Sequence, residues 1–142
     1  MTPHRFAYVE VDRSLGPASA LPYMPITLIR GQQEMEALAL VDSGATLNVL
    51  PYDLGLKLGA VWEEQTVPVR LSGNLADSEA RALLLTGRTA ELAPARLAFA
   101  WTRSNDVPVI LGQVNFFMEF DVCFFRSRSV FEIRRRAMPQ GE

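Results

Sequence analysis

The chain reads as an all-β protein, a barrel of many short strands carrying one or two short helices. Three observations predict this. Apolar runs of strand length recur along the 142 residues, separated by turn signals at about every eight to twelve positions. Helical spacing is confined to two brief stretches. Two apolar runs stop abruptly, one on Asp42 and the other on Gly112.

Taken in order, residues 6–11 (Phe-Ala-Tyr-Val-Glu-Val) alternate as a strand does, and residues 14–22, with a glycine and two prolines, read as a loop. Residues 26–30 form a second strand, turned by Gly31-Gln32-Gln33 into a third that runs from Met35 to Val41. Its end, Ala37-Leu38-Ala39-Leu40-Val41, is continuously apolar, as expected of a strand buried on both faces. Residues 46–50 continue extended. Pro51 is acceptable in a first helical turn, so a short helix is expected from there to Leu58, stopped by Gly59. Residues 67–71 and 80–86 are strands around a polar, glycine-containing tip at 72–77. Residues 92–101 form another strand, 102–106 a polar turn, and 107–111 the strand ending at Gly112. A second short helix at 115–119 precedes a closing hairpin of 120–125 with 130–134.

Length and composition narrow the function classes. The chain suits one domain over residues 1–142, its core at about 24–134 and 135–142 a disordered tail. A net charge of -2, from 14 basic and 16 acidic side chains, argues for neither nucleic acid nor an anionic membrane as partner. The one basic cluster, Arg134-Arg135-Arg136, reads as a solvated tail. No stretch approaches the roughly 20 apolar residues of a membrane span, and residues 1–12 lack a secretory signal. The lone Cys123, in an apolar stretch, reads as a buried structural thiol, and with no intrachain disulfide the expected home is cytoplasmic. The single histidine, His4, leaves Ser-His-Asp and Cys-His hydrolases poorly supplied. Neither zinc-ligand spacing nor a phosphate-binding glycine loop is present, so no metal or cofactor is expected.

Asp42 remains as the main candidate for chemistry. Asp42-Ser43-Gly44 could be a plain turn, since all three residue types favour turns. The apolar strand before it and the apolar-Gly motif about seventy residues later argue instead for a carboxylate held at the bottom of a cleft. Ser43 then supplies a hydroxyl, and Gly44 a close approach of the backbone.

Together, Val41-Asp42-Ser43-Gly44-Ala45 and Val109-Ile110-Leu111-Gly112 resemble the hallmarks of the retropepsin-like aspartic proteases, over roughly residues 26–134. The resemblance implies the acid protease barrel, with Asp42, Ser43 and Gly44 catalytic. It implies that Ala45, Leu47, Val49 and Ile110 line the substrate cleft, and that the tip at 72–77, with Gly73, Asn74 and Leu75, is a flap over bound peptide. Two positions depart from the viral pattern. Ser43 stands where many members have Thr, and an acidic-Arg pair is replaced by Thr46 and Gln113, which puts interface strength and substrate-end recognition in question.

Peptide hydrolysis through water needs one group to take a proton while another gives one. A chain with one motif supplies two carboxylates only by pairing with itself, so the expected enzyme is a homodimer with an Asp42/Asp42' dyad acting on a peptide or protein substrate. Interleaved strands 6–11 and 130–134 are its expected seam, with the loop 42–45. The competing reading is a catalytically silent dimeric β-domain that binds peptides or partner proteins in the same cleft. A structural barrel in which Asp-Ser-Gly is only a turn is the weakest alternative.

Overall fold

The computed structural model describes residues 2–137. Its strands are β1 (His4–Ala7), β2 (Val9–Glu10), β3 (Ala20–Leu21), β4 (Tyr23–Arg30), β5 (Gln33–Val41), β6 (Asn48–Leu50), β7 (Pro68–Val69), β8 (Ala80–Arg88), β9 (Ala95–Thr102), β10 (Val109–Leu111), β11 (Phe120–Phe125) and β12 (Val130–Arg135). Two short α-helices, α1 (Tyr52–Lys57) and α2 (Phe116–Glu119), complete the regular structure with four 3-10 turns.

Six strands close a barrel in the order β4-β5-β10-β6-β9-β8, and β8 returns to β4 through Thr27–Arg88, Leu28–Gly87 and Ile29–Thr86. The all-β expectation holds. Short β7 extends the sheet beyond β8. Closure gives every barrel strand two neighbours, although three-residue β6 and β10 leave residues 33–38 of β5 and 95–98 of β9 paired with a strand on one side only.

Inward-facing side chains alternate along the strands, as the pleat requires. Met24, Ile26 and Leu28 from β4 meet Leu83 and Leu85 from β8 and Leu97, Phe99 and Trp101 from β9, all buried. Trp101 stacks on Tyr52 with ring centroids 5.7 Å apart and donates its indole N–H to the Tyr52 carbonyl at 3.0 Å, which fastens α1 to the barrel. Gly59, at φ +80°, stops this helix as expected. A smaller cluster of Val49, Leu71, Ala80 and Ala100, with Leu47, Leu75, Val107 and Ile110 packed against it, lies at the end of the barrel that carries Asp42.

Of the remaining strands, three form an outer sheet in the order β1-β12-β11, and β2 pairs with β3. Phe131 and Ile133 of β12 bury themselves in the main core, and Phe6 and Tyr8 pack against it. The long β-strand expected at 6–11 is broken at Tyr8, whose amide turns to the Ser129 carbonyl at 2.8 Å. Residues 14–22 are more ordered than a plain loop. Asp12 accepts hydrogen bonds from the Ser14 hydroxyl at 2.6 Å and the Ser14 amide at 3.0 Å, starting a 3-10 turn over Arg13–Ser19 before β3 pairs with β2. Those two bonds hold the Asp12 carboxyl below its ordinary value of 3.8.

Several expectations are corrected. The apolar run of β5 is not buried on both faces, because Leu38 is 50% exposed while Ala37, Ala39 and Val41 face the core. Cys123 is exposed, since β11 is an edge strand and residue 123 falls on its outer face. Arg134 and Arg135 are not tail residues. Both belong to β12, Arg135 pairs with Glu119 at 3.1 Å and lies over the Phe120 ring, and the Arg136 amide bonds the Glu119 carbonyl at 3.0 Å. The rest of the expected tail, residues 138–142, lies outside the described residues. Finally, β12 is flanked within its own chain by β11 along Val130–Arg135 and by β1 along Val130–Ile133, which leaves only Arg134 and Arg135 unpaired on one side.

Candidate active site

Asp42 stands directly after β5, and Gly112 directly after β10. These two strands pair in parallel with Val109 opposite Ala39 and Leu111 opposite Val41, so the two motifs meet at the same end of the barrel. The Asp42 amide donates to the Leu111 carbonyl at 2.9 Å, which fixes the backbone of the carboxylate-bearing residue to the second motif. The loop then curls on itself: the Gly44 amide donates to Asp42 Oδ1 at 2.9 Å and the Ala45 amide to the Asp42 carbonyl at 3.1 Å. One carboxylate oxygen is thereby oriented by backbone.

The segment after Gly112 clamps this loop from the other side. The Gln113 amide donates to the Ala45 carbonyl at 2.9 Å and the Val114 amide to the Thr46 carbonyl at 2.8 Å. Gln113 Nε2 reaches the Ser43 carbonyl at 2.9 Å. The neutral residue at 113 therefore braces the Asp-Ser-Gly turn through its main chain rather than through the Thr46 side chain. Gly112 cannot be enlarged, because a Cβ there would lie 2.5 Å from the Leu47 carbonyl oxygen and 2.8 Å from that of Ala45.

Beneath the two loops lies a polar core that the sequence reading missed. Asn48 is wholly buried. Its Oδ1 accepts the Gly112 amide at 2.8 Å, and its Nδ2 donates to the Ala98 carbonyl and to Asn115 Oδ1, each at 3.0 Å. Asn115 in turn takes the Ala98 amide at 3.0 Å and gives to the Arg96 carbonyl at 2.8 Å. Two carboxamides thus tie both active-site loops to β9, and each buried polar group is matched by a partner. The available signal was an asparagine in the middle of the otherwise apolar Leu47-Asn48-Val49-Leu50.

A cleft of about 1070 Å³ opens beside Asp42. Gly44, Ala45, Leu47, Val49 and Ile110 lie along it, as do Gly73, Asn74 and Leu75. Ser43 is the exception among the expected site residues. It faces a second, smaller concavity of about 500 Å³ on the far side of the loop, with Tyr8, Leu21, Leu40 and Phe124. The strand leading to the tip is shorter than expected, β7 being two residues, and the tip itself is a 3-10 turn over Gly73–Leu75. Among the described residues, no cluster of His, Cys, Asp and Glu could hold a metal ion, and no helix is long and apolar enough to cross a membrane.

Comparison with known proteins agrees at the level of the fold. The chain superimposes on the crystal structure of a retropepsin-like aspartic protease from Rickettsia conorii with a TM-score of 0.61, covering 96% of this chain and 95% of that one at 12% sequence identity. No family model matches the sequence, and no curated protein does. The likeness shows the fold class: the chain is a closed six-stranded barrel with a retropepsin-like fold.

Proposed function

We propose that the chain is an aspartic endopeptidase, active as a homodimer in which Asp42 and its symmetry mate share one proton. The observation that carries this reading is the register of β5 against β10, which sets the Asp42 loop beside the Gly112 loop, with Asp42 on the cleft. An ionised and a protonated carboxylate can divide the work: the first deprotonates a bound water, while the second hydrogen-bonds the scissile carbonyl and stabilises the gem-diol that forms. The shared proton keeps two negative charges from facing each other at close range, and no covalent intermediate is required. Peptide would lie extended between the 73–75 turn and the floor made by Ala45, Leu47, Val49 and Ile110.

One chain brings one Asp42, so the second must come from another copy. Because β12 already pairs with β1 and β11 within its own chain, we favour a seam other than interleaving through that strand. The concavity beside Ser43, lined by Leu21, Leu40 and Phe124, is continuous with the Asp42 loop and exposes apolar side chains that a second copy would cover.

The test is cleavage of an unstructured protein such as casein by wild type and by Asp42→Asn. The variant keeps its fold and loses activity, and excess variant mixed with wild type suppresses the wild-type rate through one-carboxylate dimers. Undiminished cleavage by Asp42→Asn would overturn the assignment. Peptide binding without cleavage by the wild type would instead support the silent binding domain.

A further inference from the structure

The cleft beside Asp42 has a charge pattern that breaking a peptide bond does not itself require. Arg70 follows β7 and leads into the Gly73–Leu75 turn, and it is the one cation among the residues that line the cleft, where the other charged residues are Asp42 and Asp106. Eight of the thirteen arginines meet a carboxylate or an aromatic ring; Arg13, Arg30, Arg88 and Arg96, like Arg70, show neither among the described residues, and of these five Arg70 alone lines the cleft. Arg5 and Arg134 pair with Glu132 and Asp121, Arg135 and Arg136 with Glu119, Arg81 with Glu79 and the Trp62 ring, and Arg103 lies over Tyr52 and Trp62. Arg70 has no such partner among the described residues, neither carboxylate nor aromatic ring.

Its neighbours make that vacancy consequential. Leu71, the next residue, is 7% exposed and packs with Val49 in the smaller apolar cluster, joined by Leu47, Leu75 and Ile110. An extended peptide in the cleft sends alternate side chains to opposite walls. An apolar side chain on this floor brings the rest of the peptide over the Arg70 guanidinium and strips water from it. A carboxylate restores what is lost best, because it can meet the planar guanidinium with two parallel hydrogen bonds.

We propose that Arg70 selects peptides that present a carboxylate beside an apolar side chain. The inference rests on the reading of this cleft as a peptide site, though not on catalysis. The test uses the full chain carrying Asp42→Asn, which binds without turnover, and labelled peptides sharing one apolar core. One peptide has an internal Glu and an amidated end, a second has Gln and an amidated end, and a third has Gln and a free C-terminal carboxylate.

The Glu or the free-end peptide binds about three- to tenfold tighter than the neutral one, and whichever does so identifies the carboxylate as side chain or chain end. The advantage shrinks as salt is raised, disappears in Arg70→Gln, and passes to a Lys-bearing peptide in Arg70→Glu. Equal affinities for all three peptides, or a preference that survives Arg70→Gln, overturn the proposal and leave the peptide-site reading standing. Absence of binding by every peptide, together with absence of casein cleavage by wild type, overturns the peptide site and Arg70's role with it.

Discussion

Replacing Asn48 with Leu isolates the contribution of the buried carboxamide, because the side chains are similar in size and the site is fully enclosed. Leucine removes the acceptor of the Gly112 amide and the donor to the Ala98 carbonyl, bonds of 2.8 and 3.0 Å. Each buried group left unpaired costs about 1–3 kcal/mol, so about 2–5 kcal/mol is lost in all once a small gain from the apolar replacement is allowed for. For 142 residues an unfolding entropy of about 2.1 cal/mol/K per residue converts that into a fall of roughly 7–17 °C in Tm. Because Leu111 holds the Asp42 amide and Gly112 follows it directly, peptide cleavage should fall at least about tenfold, the scale of one catalytic group moved out of register. Thermal unfolding followed by circular dichroism, with cleavage measured well below Tm, reads both effects. Asn115→Leu should behave similarly, and the double variant should lose less than the sum, since the two side chains share a bond. A Tm for Asn48→Leu within about 2 °C of wild type, with full activity, would refute the reasoning built on unpaired buried groups.

Two further outcomes are expected. Gly112→Ala drives a methyl group against two backbone carbonyls at 2.5 and 2.8 Å and should lower stability by about 1–3 kcal/mol in urea titration. Gly44→Ala, whose nearest neighbour is Asp42 Oδ1 at 3.3 Å, should lower stability less while still impairing cleavage; identical urea midpoints for both variants and wild type would contradict this.

Much of the architecture was legible because it follows from local rules. The Gly31 turn, the helix opened at Pro51 and closed at Gly59, and the two apolar runs that end on Asp42 and Gly112 each announce themselves in a few consecutive residues. What escaped depends on contacts between distant parts of the chain. Leu38 looks like core because its neighbours are apolar, yet period-two alternation turns it outward. Cys123 sits among aromatics and still faces solvent, since its strand is an edge. Arg135 has the composition of a tail and is held by Glu119 and the carbonyls of Ala93 and Pro94. In the candidate site, Asp42 was identifiable from its motif, whereas Asn48 and Asn115 acquire their role only when β6, β9 and the loop after β10 come together.

The outer sheet bears on when the molecule becomes competent. Strands from near the two ends of the chain, β1 and β12, pair with each other through His4–Ile133 to Ala7–Val130, reinforced by Arg5 and Glu132 at 2.6 Å. A subunit knitted in this way finishes its own folding without borrowing a strand. On the proposed dimeric reading, folding is independent of concentration while the pairing of Asp42 with its mate is governed by it, so a dilution series should lose cleavage before it loses the folded signal.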